Sequence, residues 1–224
     1  HGVDPVPIMA CRDRNRAALH SDLLGMQALG VKSLMLIRGQ RVPESHAVTA
    51  STVFDMTARE LIALASSLGE APARPEKDFF IGTGARAFRP NRGWRAESLE
   101  ARAAAGARFM QTQLCFNLDI LGQYMKRLVA AGLTRRYSVM VSLSPLPSAQ
   151  TARWIKENMS DSRIPVEVIE RLGQAADPEQ EGIRICAELM QQISEIPGVS
   201  GVSLLTTGNP QAIPEAIKAS GLRG

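Results

Sequence analysis

Short apolar segments alternate with amphipathic segments along the whole chain, and this alternation constrains the fold more than any other feature. Six runs of mostly apolar residues are each followed by a stretch with helical periodicity. The predicted strands are 6–11, 33–37, 79–82, 109–116, 137–143 and 199–205. Strands that alternate with helices form a parallel sheet with right-handed crossovers. The sequence therefore predicts an α/β fold.

The predicted helices follow the strands and have recognisable ends. Asp13 or Asn15 is expected to cap the first helix, and Asp55 or Thr57 the second. Gly106 ends the helix predicted over 96–105, because glycine adopts a left-handed conformation at little cost. The other predicted helices are 118–131, 149–158, 166–172, 178–196 and 210–220.

Two architectures contain such a sheet, and the residues that follow the strands distinguish them. An open sheet that binds a nucleotide usually carries a glycine-rich phosphate loop, but neither GxGxxG nor GxxxxGK[ST] occurs here. Polar residues instead follow nearly every strand, at Cys11-Arg12-Asp13, Arg38-Gly39-Gln40, Thr83-Gly84, Gln111-Thr112-Gln113, Ser142 with Ser144, and Thr206-Thr207. A barrel brings all of these to one face. We therefore predict a (β/α)8 barrel as a single domain over residues 1–224, with about six βα units here and two strands missing upstream.

Composition and charge exclude several classes of protein. The chain is 45% hydrophobic and 21% charged, which argues against disorder, collagen and disulfide scaffolds. The net charge of +4 is scattered, so nucleic-acid binding is not predicted. No apolar run approaches the roughly 20 residues that a membrane span requires, so no membrane association is expected. Three cysteines without a CxxC pair indicate free thiols, and the cytoplasm is the expected location.

No metal site is predicted from the histidines. Neither His20 nor His46 has a second histidine or a carboxylate at ligand spacing. His20 is expected on a helix surface, and His46, in the loop after Gln40, could approach a cofactor.

Five stretches in a fixed order carry a resemblance to a known family. They are PIMACRDRN at 7–15, LIRG at 36–39, AAGARFMQTQ at 104–113, IPVEVIERL at 164–172 and the ending at 201–215. Together they cover nearly the whole chain. The sequence resembles the bacterial branch of the methylenetetrahydrofolate reductase family, without that family's N-terminal strands.

The resemblance implies an FAD-binding barrel in one-carbon metabolism. Members pass hydride from NADH or NADPH through the flavin to 5,10-methylenetetrahydrofolate, giving 5-methyltetrahydrofolate for methionine biosynthesis. On matching positions, Gln113 is expected to contact the pterin, Arg38 and Gly39 the flavin, and Arg102 the cofactor's phosphates. Gln40 stands where most members have an aspartate beside the flavin, so it is expected near substrate and cofactor. The family's general acid is a glutamate of a segment that this sequence lacks, so no catalytic residue is assigned.

Two alternatives to the flavoenzyme remain open. One is a reductase-like folate-binding or partner subunit without flavin redox chemistry, and the other is a reductase in which hydride passes directly from the nicotinamide. Gln40 and the absent glutamate segment motivate the binding-subunit alternative. Ile8, Arg95 and Ser98, which replace polar or acidic flavin-contacting residues of well-known members, make flavin binding less secure than the fold. The chain is expected to form a homo-oligomer or a complex with another subunit.

Two groups of polar residues have both a functional and a simpler interpretation. Arg86, Arg89, Arg92 and Arg95 recur at every third position and could receive a diphosphate or the glutamate tail of a folate. For most of them a solvated basic loop is the simpler interpretation. Gln111 and Gln113 share one face, because strand side chains alternate, and one of them could serve only the polar rim of the barrel.

Overall fold

The computed structural model describes residues 2–41, 52–68, 78–206 and 208–222, and its strands confirm the predicted fold class. Six strands form one sheet in the order β1-β2-β3-β4-β5-β6. They are β1 (Ile8–Ala10), β2 (Ser33–Ile37), β3 (Phe80–Ala85), β4 (Ala107–Leu114), β5 (Ser138–Leu143) and β6 (Gly201–Leu204). The pairs β1–β2, β2–β3 and β5–β6 are parallel. Because each strand neighbours the next one in the chain without reversal, the order is that of consecutive barrel strands rather than of a doubly wound sheet.

The helices lie where the periodicity predicts them, with ends that differ by only a residue or two. They are α1 (Arg16–Ala28), α2 (Ala58–Ser67), α3 (Glu97–Ala104), α4 (Leu118–Ala130), α5 (Ala149–Asn158), α6 (Val166–Gln174), α7 (Pro178–Ser194) and α8 (Ala212–Ser220). None of these helices is both long and apolar enough to cross a membrane. The predicted residues His46 and Thr207 lie outside the described part of the chain.

The chain divides into two compact units, and each is described by itself. The first unit comprises His1–Gly84 and Ala96–Met110, and the second comprises Ala85–Arg95 and Gln111–Gly224. The first unit therefore holds β1, β2, β3 up to Gly84, α1 to α3 and the first half of β4. The second unit holds the rest of β4 and all later elements. A single domain over residues 1–224 stays a prediction.

Capping and close packing organise the first unit. Asn15 caps α1, because its side chain accepts from the Ala18 N–H at 2.9 Å. Thr57 caps α2 in a reciprocal capping box with Glu60. The ring of Phe109 lies over Gly82, where a Cβ atom would overlap it. A side chain at this position of β3 would therefore displace the aromatic ring.

The second unit differs from a plain strand–helix repeat because three helices, α5, α6 and α7, separate β5 from β6. The longest of them, α7, approaches the loop after β5 so closely that a Cβ atom on Gly182 would overlap the backbone carbonyl of Leu146. Only glycine permits this backbone approach. The segment between β5 and α7 also returns to the strand ends, where the Asp161 carbonyl accepts a hydrogen bond from Gln113 at 2.9 Å.

Candidate functional site at the strand ends

The loop after β1 is held by the segment that precedes α2. Arg12 and Phe54 form an antiparallel bridge, and the Asp13 N–H donates to the Val53 carbonyl at 2.9 Å. The Asp13 carboxylate accepts from the Val53 N–H at 3.3 Å. The expectation that Asp13 caps α1 is therefore not met, because its carboxylate binds Val53 and Asn15 takes the cap. Asp13 adopts φ 62°, a left-handed conformation that aspartate tolerates better than most residues.

Gly39 and Gln40, two of the predicted site residues, lie against this loop. Gly39 adopts φ 82°, and a Cβ atom there would lie 2.9 Å from the Cβ atom of Arg12. Arg12 forms an ion pair with Asp13 at 2.9 Å and donates to the Gln40 carbonyl at 3.1 Å. The need for glycine at position 39 is thus explained by packing within the protein. The side chain of Gln40 is exposed.

Arg38 is the most accessible cation among the predicted cofactor residues. Its guanidinium lies over the ring of Phe54, with Cζ 4.2 Å from the ring centroid. The side chain is exposed, and its N–H groups have no hydrogen-bond acceptor among the described residues. The ring orients the guanidinium while its donors stay available for an anion.

Arg102 is engaged with the carboxyl end of β3. One guanidinium nitrogen donates to the Thr83 hydroxyl at 2.9 Å and to the Gly84 carbonyl at 2.7 Å. Its Nε donates to the Ser98 carbonyl at 3.2 Å. These bonds give Arg102 a role in positioning the end of β3. The contact with cofactor phosphates stays a prediction.

Gln113 in the second unit has its carboxamide occupied by backbone groups. Its Oε1 accepts from the Ala87 N–H at 2.9 Å, and its Nε2 donates to the carbonyls of Ala87 at 3.0 Å and of Asp161 at 2.9 Å. Both amide hydrogens are therefore used within the protein. One lone pair of Oε1 is left for a ligand. The predicted pterin contact stays a prediction and would have to use that lone pair.

Gln111 lies two residues earlier on the same strand and is bonded differently. Its Nε2 donates to the hydroxyl oxygens of Ser142 at 3.1 Å and Ser203 at 3.0 Å. Its Oε1 has no hydrogen-bond partner among the described residues. Sequence reasoning placed Gln111 on the face it shares with Gln113 and Ser142 at the end of its strand, but it did not find Ser203 or the bonds to the two serines. The register of β5 and β6 would have indicated this pair, because Ser142 and Ser203 are direct neighbours on the two strands.

The four regularly spaced arginines do not act as one group. Arg86 forms an ion pair with Asp161 at 3.0 Å, and Arg89 pairs with Asp119. Arg92 and Arg95 are exposed and form no ion pair with any described residue. The two arginines without a carboxylate therefore remain candidates for an anion, whereas the two paired ones have a structural explanation.

The three cysteine thiols are buried, and burial favours their protonated form. Burial raises the pKa of Cys115 to about 11 and that of Cys186 to about 12. Burial also raises the pKa of Cys11, although a backbone hydrogen bond opposes this shift, and the charges of Glu60 and Arg38 have smaller effects of opposite sign. The described part of the chain contains no group of three histidine, cysteine or acidic residues that could hold a metal ion. The donors at the strand ends are thus arginines, amides and hydroxyls.

These observations define an α/β protein with consecutive parallel strands and polar groups at their carboxyl ends. The sequence profile described as methylenetetrahydrofolate reductase matches residues 1–221. The chain belongs to the methylenetetrahydrofolate reductase family, as the resemblance indicated.

Comparisons with individual proteins add little to the family match. No curated protein matches the sequence. Among solved structures, the chain is similar to an uncharacterized protein from Clostridium thermocellum that binds two copies of 5-methyl-5,6,7,8-tetrahydrofolic acid. The sequence identity is 10%, the TM-score is 0.47, and the alignment covers 97% of this chain and 94% of that chain.

Proposed function

We propose that this protein is a flavin-dependent oxidoreductase that reduces 5,10-methylenetetrahydrofolate to 5-methyltetrahydrofolate with a nicotinamide as hydride donor. The family match over residues 1–221 carries the proposal. We further propose that it acts in the cytoplasm, as a homo-oligomer or together with another subunit. Its three buried free thiols are compatible with a reducing compartment.

The strand ends of the first unit fit a flavin nucleotide. Arg38 offers an oriented guanidinium with available donors, which suits a diphosphate. Gln40 presents an exposed amide two residues later, and an amide can donate and accept at the edge of a heterocycle. Bound FAD supplies hydride transfer between the nicotinamide and the folate. In this proposal Arg38 and Gln40 bind and orient the flavin nucleotide. Arg102 contributes by holding the end of β3 in place.

The strand ends of the second unit fit the uncharged part of a folate. Gln111 presents its carboxamide beside two hydroxyl groups, and neither a cation nor a carboxylate belongs to this hydrogen-bonded group. The carboxamide of Gln113 keeps one lone pair of Oε1 for a ligand. A neutral set of donors and acceptors suits a pterin ring. The exposed Arg92 and Arg95 are available for the glutamate tail of the same substrate.

One observation favours a second candidate function, a folate-binding subunit without flavin chemistry. Gln40 is an amide where most family members have a carboxylate, so the charge that would tune the flavin is missing. A reductase that transfers hydride directly from the nicotinamide is the enzymatic form of the same alternative. Both candidates keep the folate site and discard the flavin.

The visible absorption spectrum of the purified protein, before and after anaerobic addition of NADH, separates these functions. We expect a flavin band that NADH bleaches and that methylenetetrahydrofolate restores. Arg38→Met should lower the flavin content, whereas the exposed control Arg153→Met on α5 should not. A colourless protein that takes up no added FAD contradicts the flavoenzyme. Turnover of methylenetetrahydrofolate by that colourless protein would then identify direct hydride transfer, and binding without turnover would identify the subunit.

A further inference from the structure

The orientation of the Gln111 carboxamide follows from its hydrogen-bonding neighbours. The Ser142 hydroxyl donates its single hydrogen to the Thr112 carbonyl at 2.7 Å, and a carbonyl can only accept. The Ser142 oxygen must therefore accept from Gln111, so the nitrogen of that carboxamide faces Ser142. The oxygen branch of the carboxamide is left as an acceptor without a partner among the described residues.

Ser203 completes a pair of open groups with opposite polarity. Its hydroxyl oxygen accepts the second amide hydrogen of Gln111 at 3.0 Å. Its own hydrogen has no acceptor among the described residues. Gln111 thus offers one acceptor and Ser203 offers one donor, and the hydrogen bond between them keeps the two groups adjacent. Both residues are half-buried, so a ligand can reach them.

We propose that Gln111 and Ser203 together recognise the lactam edge of a heterocycle, in which an N–H group lies next to a carbonyl. The ligand N–H donates to Gln111 Oε1, and the Ser203 hydroxyl donates to the ligand carbonyl. Ser142 acts as a positioning residue, because it fixes which branch of the Gln111 carboxamide is presented. This inference deepens the proposed function and rests on it, since it names the chemistry that selects the ring.

The alternative orientation of the carboxamide would destroy this complementarity. If Oε1 faced Ser142, two acceptors would oppose each other, because the Ser142 hydrogen is already donated to Thr112. A site that hydrogen-bonds a ligand discriminates strongly against analogues that lack the bonding group, because its own polar atoms are then left unpaired. A methyl group on the lactam nitrogen removes the ligand's N–H donor and leaves the Gln111 oxygen unpaired, so the methylated ligand should bind more weakly.

Two ring systems carry such an edge, the pterin of a folate and the isoalloxazine of a flavin. Equilibrium binding of 5-methyltetrahydrofolate and of FAD, each with its derivative methylated on the lactam nitrogen, distinguishes them. Measurements use the full chain and the variants Gln111→Met and Ser203→Ala. The matched controls are Gln150→Met on α5 and Ser21→Ala on α1, since both residues are exposed and have no side-chain partner among the described residues.

We expect each site variant to bind one of the two ligands about tenfold more weakly, the effect of one lost hydrogen bond. Methylation of that ligand should weaken binding to the wild-type chain by a similar factor and should change binding to Gln111→Met little. The ligand that shows this pattern identifies the ring. The controls should bind as the wild-type chain does.

Three contrary outcomes are separable. Equal binding by the wild-type chain and both site variants overturns the lactam site and leaves the proposed function standing. Binding with the expected pattern but without any reduction of methylenetetrahydrofolate overturns the proposed reaction and keeps the site. Failure of the wild-type chain to bind either ligand overturns both. Thermal unfolding of Ser203→Ala and Gln111→Met verifies that a loss of binding is not a loss of fold.

Discussion

The strand ends of the first unit are charged, whereas the hydrogen-bonded strand ends around Gln111 in the second unit are neutral. Arg12, Asp13 and Arg38 gather at the ends of β1 and β2. Gln111, Ser142 and Ser203 gather on β4, β5 and β6. A guanidinium with available donors suits a phosphate, whereas amides and hydroxyls suit the edge of an uncharged ring. Under the proposed function we therefore expect a different ligand chemistry at each unit.

The two units also differ in what supports these groups. In the first unit a Cβ atom on Gly39 would lie 2.9 Å from the Cβ atom of Arg12, a contact that a small shift relieves. In the second unit backbone groups support the site, since Gly182 lies against the Leu146 carbonyl and Gln113 binds the backbone of Ala87 and Asp161. The neutral region should therefore be the more rigid one and the more sensitive to substitution.

The largest expected effect tests this difference with two glycines. Gly182→Ala forces the backbone of α7 away from Leu146 and should lower the free energy of unfolding by at least about 3 kcal/mol, at the severe end for single substitutions. Gly39→Ala adds a left-handed alanine and a contact with a side chain, which together should cost about 1 to 2 kcal/mol. Urea unfolding of both variants measures the two values. A larger loss of stability in Gly39→Ala would show that the neutral region is not the more rigid one.

The next prediction compares the two glutamines of β4. Gln113→Leu leaves the N–H and carbonyl of Ala87 and the carbonyl of Asp161 without their partner, so we expect a loss of about 2 to 3 kcal/mol. Gln111→Met removes a donor from two hydroxyl oxygens, but Ser142 keeps its bond to the Thr112 carbonyl and the half-buried Ser203 can bond to water, so the loss should be less than about 1 kcal/mol. Chemical unfolding provides the measurement. Similar losses for both variants would mean that Gln111 is as structural as Gln113.

The sequence predicted the fold well because the signals of a βα unit are local. Apolar runs, Asn15 and Thr57 as caps, and turn glycines can all be read within a short window. The resemblance to a family likewise depends on ordered motifs along the chain. Gly106, whose φ is 121°, is an example, because this single glycine predicted where α3 ends.

The candidate site was predicted less completely because its contacts are distant in sequence. Gln111 binds Ser203, and Gln113 binds Asp161, which belongs to the segment between β5 and α7. No local pattern indicates that this segment returns to the end of β4. The face shared by Gln111 and Gln113 follows from alternation, but their different bonding depends on partners that only the folded chain brings together.

Buried thiols give a pH dependence that differs between the units. Burial holds the pKa of Cys186 at about 12 against an ordinary value of 9.0, so above pH 9 the unfolded chain releases this proton and the folded chain does not. The stabilising contribution of the buried thiol is therefore fully present below pH 9 and is lost as the pH rises toward 12. Cys186→Ala should remove about 2 kcal/mol of that decline between pH 9 and 11.

The thiol of the first unit provides the comparison. A backbone hydrogen bond to the Cys11 thiol opposes the effect of burial on the pKa of Cys11, so Cys11→Ala should change the alkaline decline less. Unfolding in urea at a series of pH values gives both slopes. Equal slopes for the two variants would show that this hydrogen bond does not offset the burial of Cys11.

A smaller effect concerns the guanidinium of Arg38 and the ligand of the first unit. Arg38→Met should weaken FAD binding about tenfold, and added salt should reduce the difference, because the attraction is between exposed charges. Phe54→Leu should weaken binding less, since it removes the ring that orients the guanidinium but keeps the charge. Fluorescence titration with FAD at two ionic strengths measures these changes. A salt-independent loss would show that Arg38 acts by shape rather than by charge.

The smallest expected effect comes from the ion pair between Arg86 and Asp161, whose side chains are 69% and 36% exposed. Exposed pairs contribute little, so Arg86→Met should change the free energy of unfolding by less than about 0.5 kcal/mol. The segment around Ala87 should nevertheless stay in place, because Gln113 binds the Ala87 backbone without using any charge. Hydrogen exchange at the Ala87 N–H should therefore be unchanged in Arg86→Met and much faster in Gln113→Leu. Faster exchange in Arg86→Met would show that charge, and not the neutral amide, fixes this strand end, and it would remove the main difference between the two units.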